Sequence, residues 1–101
     1  NSCNLNCYSD GSDGIDWHAD DEPLFGTGDC RIISLSLGQE RNFDLRLRAG
    51  RGEEEVCRLP LGSGDLCTME GLTQQHYEHR VPKSGGKMMR MRLNLTWRWI
   101  V

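Results

Sequence analysis

The sequence lacks a long apolar run, a secretory pattern at its start and any excess of positive charge. No stretch approaches the roughly 18 consecutive apolar residues of a membrane span, and residues 1–22 contain no lysine or arginine. The chain of 101 residues has 12 Lys and Arg against 15 Asp and Glu, which gives a net charge of -3. These absences argue against a membrane segment, a signal peptide and a surface that binds nucleic acid by charge alone.

Cysteine is present, but not in the spacing of a metal or disulfide motif. The five cysteines are an odd number, and no two of them form a Cys-x-x-Cys pair. This usage favours free thiols in an intracellular, reducing compartment over a disulfide scaffold. The length allows one domain, residues 1–101, and leaves no room for a second.

Short strands separated by turn residues dominate the pattern. The predicted strands are residues 31–37, 42–48, 56–61 (ending near Pro60), 65–69 and 90–101. The second of them alternates Phe43, Leu45 and Leu47 with polar residues, the period of a half-buried strand. No amphipathic helix is predicted. The sequence therefore indicates an all-β barrel or jelly roll.

His18 and Asp20 are the first candidate metal ligands. Residues two apart on a strand share a face, so both side chains could reach one ion, with a third ligand from His76 or His79. Two histidines and one carboxylate form the facial triad of non-haem Fe(II) oxygenases. On the spacing alone a solvated surface histidine beside acids is the commoner case, because a chain with three histidines produces such a pair by chance quite often.

The last predicted strand alternates strictly between polar and apolar residues. One face carries Arg92, Asn94, Thr96 and Arg98, and the other carries Leu93, Leu95, Trp97 and Trp99. The apolar face is predicted to be core. The two arginines are about 20 Å apart along the strand at roughly 3.3 Å per residue, so side chains folding inward could hold both carboxylates of a small diacid. A solvent-facing strand could show the same alternation.

Six segments occur in an order that one enzyme family shares. They are residues 6–8, 18–22, 31–38, 64–71, 79–83 and 92–98. With its His-x-Asp pair, its distal His in His-Arg-Val-Pro-Lys and its Arg-x-Asn-x-Thr-x-Arg strand, the chain resembles the AlkB-type dioxygenases over about residues 4–100. These enzymes use Fe(II) and 2-oxoglutarate to remove alkyl groups from nucleobases. The segments look most like the eukaryotic DNA- and RNA-repair branch.

The resemblance implies a role for individual residues. It makes the iron ligands and catalytic centre His18, Asp20 and His79. It implies that the 2-oxoglutarate pocket is formed by Asn6, Tyr8, Arg92, Asn94 and Arg98. Of the two arginines, we expect Arg92 at the far carboxylate and Arg98 nearer the iron. Asp21 matches the position that contacts the exocyclic amine of the target base, and His76 has no matching role.

The implied activity is oxidative demethylation of N-alkylated bases, such as 1-methyladenine and 3-methylcytosine in DNA or RNA, with release of formaldehyde, succinate and CO2. The implied fold is the double-stranded β-helix, a jelly roll. Family members carry an N-terminal lid over the target nucleotide, and this chain begins almost at the Asn-x-Tyr strand. We therefore expect a lidless core, monomeric and without membrane contact, that binds methylated single strands weakly.

Two other functions compete with nucleic-acid demethylation. One is a 2-oxoglutarate oxygenase that acts on a protein or a small molecule. The other is a non-catalytic barrel module that kept the fold. The complete set of ligands and arginines argues against the second, because a decayed enzyme is expected to lose some of them.

Overall fold

Eight strands and a single-turn helix make up the described part of the chain. The computed structural model describes residues 1–20, 31–48, 55–71, 73–84 and 90–98. In chain order the elements are β1 Ser2–Tyr8, β2 Ile15–His18, β3 Ile32–Gly38, β4 Arg41–Leu47, β5 Cys57–Leu61, β6 Leu66–Met69, α1 Thr73–His76, β7 Tyr77–Val81 and β8 Arg92–Arg98. Within these ranges no helix has the length and apolar character that crossing a membrane requires.

The strands form two four-stranded antiparallel sheets. The first has the order β1-β8-β3-β6 and the second the order β2-β7-β4-β5. Each sheet contributes three side chains to one buried apolar cluster, which consists of Tyr8, Ile32 and Met69 from the first sheet and Phe43, Leu61 and Val81 from the second. Two facing sheets with crossed-over strand order are the jelly-roll architecture that the sequence predicts.

Three of the strands and the helix were not predicted from the sequence. β1 is polar, β2 and β7 are short, and their partners are distant: β1 pairs with β8 across nearly the whole chain. Local residue preferences do not report such pairing, because strand formation depends on neighbours in the sheet. The helix α1 has four residues, too few to display a helical period. β5 ends at Leu61, one residue after Pro60, as predicted, and the sheet tolerates the proline because β5 is an edge strand.

The polar face of β8 is more buried than its apolar face. Arg92, Asn94 and Thr96 are 2%, 7% and 5% exposed, whereas Trp97 is 38% exposed and Leu93 and Leu95 are half-buried. The polar face points into the space between the sheets. The prediction that the apolar face forms the core was therefore wrong for the described residues; Trp99 lies outside them.

The exposed apolar face continues across the first sheet. Leu5 and Leu35 both stand opposite Leu95, and Leu66 stands opposite Leu35, so a row of leucines crosses all four strands. Leu5 and Leu66 at the ends of this row are 64% and 66% exposed. Alternation along β8 identified two faces correctly but could not say which one turns inward, since apolar residues also occupy much of a folded surface.

A buried carboxylate joins three strands of the second sheet. The side chain of Asp44 on β4 has no exposed area and accepts hydrogen bonds from Arg58 Nε on β5 at 2.8 Å and from Arg80 Nε on β7 at 3.0 Å. The Arg80 guanidinium also stands 4.5 Å from the ring centroid of Trp17 on β2, so the contacts reach every strand of the sheet. Hydrogen bonds from Arg58 hold the pKa of Asp44 below its ordinary value, although burial alone would raise it.

Replacing Asp44 tests this connection. We expect Asp44→Asn to lower the free energy of unfolding by about 2 kcal/mol at pH 7, because it removes the carboxylate charge that accepts three hydrogen bonds from Arg58 and Arg80. The folded-state pKa lies below the unfolded one, so this stabilisation is full above the unfolded value of about 3.9 and disappears as pH falls through the folded pKa. Urea unfolding at several pH values measures it, and exposed Glu55→Gln is the control. Equal differences between parent and variant at pH 7 and pH 2 would contradict the assignment.

Candidate active site

One cavity between the sheets contains all of the predicted iron and 2-oxoglutarate residues that the structure describes. Its lining includes His18, Asp20, His79, Asn6, Tyr8, Arg92, Asn94 and Arg98. Asp21, the predicted base contact, lies outside the described residues. The eight residues come from β1, β2, β7, β8 and the segment that follows β2, so only the folded sheets bring them together.

His18, Asp20 and His79 form a compact group at one end of this cavity. His18 and His79 are directly opposite each other on β2 and β7, and Asp20 lies two residues past the end of β2. One ligand atom from each residue lies within 4.8 Å of the other two. Asp20 Oδ2 is 3.8 Å from His79 Nε2. Two imidazoles and one carboxylate at this spacing fit a single divalent ion with open positions.

Each imidazole can present one ring nitrogen to a metal. His18 Nδ1 is 2.8 Å from the Asp16 carbonyl oxygen, so Nδ1 donates to that oxygen and Nε2 is the ring nitrogen left to face an ion. The pKa of His79 falls to about 4, because burial disfavours the charged ring and His18 adds repulsion. His79 is therefore neutral at neutral pH. Its buried Nδ1 has no hydrogen-bond partner within the described residues.

The second part of the site consists of two cross-strand pairs. Asn6 stands opposite Asn94 and Tyr8 opposite Arg92, and residues directly opposite each other in a sheet share a face. All four side chains line the cavity. Burial raises the pKa of the Tyr8 hydroxyl, so it remains a neutral hydrogen-bonding group. The pairing of β1 with β8 thus assembles residues that are more than 80 positions apart in the chain.

The two arginines of β8 occupy different ends of the site. Arg98 Nη2 donates to Asp20 Oδ2 at 3.0 Å, which places Arg98 at the end with the histidines. Arg92 donates from Nη2 to Ser36 Oγ at 2.9 Å, and its guanidinium carbon is 5.1 Å from the Tyr8 ring centroid. Arg92 Nε is buried without a partner in the described structure. A buried guanidinium with an unused donor suits a carboxylate ligand.

Two serines on β3 that were not predicted as site residues complete the polar wall of the cavity. Ser36 accepts the bond from Arg92, and Ser34 Oγ accepts one from Asn94 Nδ2 at 2.6 Å. The alternation of Ile33, Leu35 and Leu37 with these serines was a visible signal of two strand faces. Only the pairing of β3 with β8 shows that the serines point toward Arg92 and Asn94.

His76 does not join the metal group. It is the last residue of α1 and is exposed, whereas His79 is 5% exposed and lies on β7. The sequence left either histidine open as the third ligand on spacing alone. The single-turn helix between β6 and β7 decides between them, because the strand that pairs with β2 begins only after His76.

Comparison with known proteins identifies the class of this fold and site. The model of the 2OG-Fe(II) oxygenase superfamily matches residues 1–98, so the chain belongs to that superfamily. Its members use Fe(II) and 2-oxoglutarate, the ion and the diacid that the His-Asp-His group and the buried arginines fit. A solved structure described as "The structure of OsALKBH1" has the same fold, with a TM-score of 0.68 and 24% identity over 96% of this chain and 47% of that one.

Sequence similarity places the chain among the AlkB-type members of that superfamily. It is 42% identical over 107 residues to the rat protein named Alpha-ketoglutarate-dependent dioxygenase alkB homolog 3, covering 99% of this chain and 35% of the relative. It is 38% identical over 102 residues to the human protein named DNA oxidative demethylase ALKBH2, covering 96% of this chain and 38% of that relative. The chain thus spans little more than a third of the length of these relatives.

The two histidines offer a matched test of the metal group. We expect His79→Ala to raise the Kd for Co(II), a stable stand-in for Fe(II), by about 100-fold, because one of three protein ligands is removed. We expect His76→Ala to bind Co(II) as the parent does. Titration followed by visible absorption measures both. A larger loss in His76→Ala than in His79→Ala would show that the third ligand is misassigned.

Proposed function

We propose that this chain is the catalytic core of an oxygenase that oxidatively demethylates N-alkylated bases in DNA or RNA. The observation that carries the proposal is a single cavity in which a His-Asp-His group and a buried arginine with an unused donor occupy opposite ends. A relative with the words DNA oxidative demethylase in its name supports the substrate class. We further propose that the chain acts as a monomer on single strands.

His18, Asp20 and His79 would hold the Fe(II) ion. Bound there with 2-oxoglutarate and dioxygen, the ion supplies the oxidation of a C–H bond. Burial keeps the His79 imidazole neutral, which avoids competition between a proton and the metal at that ligand. The ion pair from Arg98 orients the Asp20 carboxylate and offsets part of its charge.

Arg92 would bind the carboxylate of 2-oxoglutarate that lies far from the metal. Its guanidinium is held against Tyr8 and Ser36 before any ligand arrives, so little side-chain freedom is lost on binding. Burial lowers the pKa of Arg92, but the guanidinium remains a cation at neutral pH because the ordinary pKa of arginine lies far above that range. Asn6, Asn94 and the Tyr8 hydroxyl supply the neighbouring polar surface.

The substrate would present an N-methyl carbon to the metal end of the cavity. A base must leave its stack to enter such an enclosed site, at a cost of a few kcal/mol that is smallest in single strands. Hydroxylation of the methyl group gives an N-hydroxymethyl base, which releases formaldehyde and leaves the N–H base. The accompanying decarboxylation converts 2-oxoglutarate to succinate and CO2. 1-Methyladenine and 3-methylcytosine are the proposed lesions.

Two observations favour a second candidate, an oxygenase that acts on a protein or a small molecule. The net charge of -3 gives the chain little attraction for phosphates. Arg80, one of the basic residues after the distal histidine, is also engaged by Asp44 rather than free for a nucleic-acid backbone. The metal and 2-oxoglutarate sites are the same in both candidates, so the substrate assay separates them.

The 2-oxoglutarate site is tested by replacing the buried arginine. We expect Arg92→Gln to raise the Kd for 2-oxoglutarate by about 30-fold or more, because the loss of a buried charged partner costs roughly 2 kcal/mol or more. Exposed Arg90→Gln changes the same charge two residues away and should leave the Kd unchanged. Anaerobic calorimetry with metal-loaded protein measures both. Equal affinities in the two variants would place the distal carboxylate elsewhere.

The substrate is tested by measuring formaldehyde. We expect the chain, with Fe(II) and 2-oxoglutarate, to release formaldehyde from single-stranded oligonucleotides containing 1-methyladenine or 3-methylcytosine, and none from unmethylated strands. We expect the chain to bind these oligonucleotides weakly, because it makes few phosphate contacts. We expect the remaining affinity to fall as the salt concentration rises, because phosphate contacts are screened by salt. Steady succinate formation without formaldehyde from either strand would favour the protein or small-molecule oxygenase.

A further inference from the structure

Gln74 is a buried amide that contacts the backbone of the proposed carboxylate ligand. It is 3% exposed, and its Oε1 accepts a hydrogen bond from the Asp20 backbone N–H at 2.9 Å. We infer that Gln74 is a positioning residue, which holds Asp20 where its carboxylate can share one ion with His18 and His79. The inference rests on the metal centre proposed above and adds a residue that does not touch the metal.

Asp20 depends on such a contact because it lies beyond the residues of β2 that pair with β7. β2 ends at His18, and the pairs that join β2 to β7 are Ile15 with Val81 and His18 with His79, with a register shift between them. Asp20 lies two residues beyond the last pair. Its backbone N–H therefore bonds to a side chain instead of a neighbouring strand, and this bond sets where the residue sits.

The Gln74 amide is held in one orientation. Its Nε2 donates to the thioether sulfur of Met69 at 3.5 Å, and Met69 belongs to the buried apolar cluster. Turning the amide over would aim its NH2 group at the Asp20 N–H and leave two donors facing each other. The oxygen therefore faces Asp20, and the amide links the apolar cluster to the metal group.

Hydrogen bonds from Thr73 and Arg48 hold the helix that carries Gln74 in place. Thr73 Oγ1 donates to the Glu70 carbonyl at 2.6 Å at the start of α1. Arg48 donates from Nη1 to the Gln74 carbonyl and from its backbone N–H to the His76 carbonyl, both at 2.8 Å. Since α1 runs directly into β7, one continuous segment, residues 73–81, both contacts Asp20 and carries His79. The 3.8 Å separation between Asp20 Oδ2 and His79 Nε2 thus depends on one short unit of chain.

Gln74 and Arg98 restrain different parts of Asp20. Arg98 binds the carboxylate at 3.0 Å, and Gln74 binds the backbone. Without the Gln74 bond, the backbone would be free to shift while the carboxylate stays paired with Arg98. The carboxylate would then turn away from the histidines, so the metal affinity should fall more than the stability of the fold.

Co(II) binding by three variants and the parent tests this role. Gln74→Met keeps the volume and removes the acceptor, and Gln75→Met makes the same change at the exposed neighbour on the same helix. We expect Gln74→Met to raise the Kd for Co(II) about 10-fold or more and to alter its visible absorption, as loss of an outer-shell contact does at other metal sites. Gln75→Met should match the parent. Gln74→Glu, which retains an oxygen at the same reach, should restore both readouts toward the parent.

The outcomes separate this inference from the proposed function. Parental Co(II) affinity and spectrum in Gln74→Met, even with a lower free energy of unfolding, would reduce Gln74 to a structural residue and overturn the inference alone. If Gln74→Met does not fold, Gln74→Asn takes its place, because its shorter amide also withdraws the oxygen and should show the same loss. Failure of the parent itself to bind Co(II) would overturn the metal centre together with the inference.

Discussion

The antiparallel register of β8 between β1 and β3 controls what the cavity contains. In this register Tyr8, Arg92 and Gly38 stand in one row, and Asn6, Asn94 and Ser36 in the next. A slip by one residue would turn the whole polar face of β8 outward and bring the leucine row inside. The ligand-binding surface and the apolar outer surface are thus two consequences of the same pairing.

This arrangement places polar groups where a stable fold would ordinarily place apolar ones. Most of them satisfy each other: Thr96 donates to Asn94 at 2.7 Å, Asn94 to Ser34 and Arg92 to Ser36. Arg92 Nε and His79 Nδ1 stay buried without partners in the described structure, although a buried unpaired polar atom destabilises the fold. Such departures from stable packing are expected at functional sites. Asp44, with its two arginines, stabilises the second sheet behind this interior.

The strands with period-two alternation or β-branched residues were predictable, and the polar strands were not. The predicted strand 42–48 matches β4 to within one residue at each end, because the alternation of Phe43 and Leu45 with polar residues marks a half-buried strand. β1, β2 and β7 lie beside distant partners, and neither the polar sequence of β1 nor the few residues of β2 and β7 mark a strand. The prediction that the apolar face of β8 forms the core was wrong, since the inward face depends on what the opposite sheet offers.

The sequence by itself determined the composition of the site. The His-x-Asp pair, the distal histidine and the two arginines of one strand face are local patterns, and through their resemblance to AlkB-type dioxygenases they indicated an iron centre with His79 as a ligand and a 2-oxoglutarate pocket. Spacing alone left His76 and His79 open, and the tertiary structure places His79 opposite His18, Arg98 beside Asp20 and Arg92 beside Tyr8. It alone revealed Gln74 and the two serines as partners of these residues. The physical reason is that spacing along a chain sets which side chains share a face, whereas pairing between strands sets which faces meet.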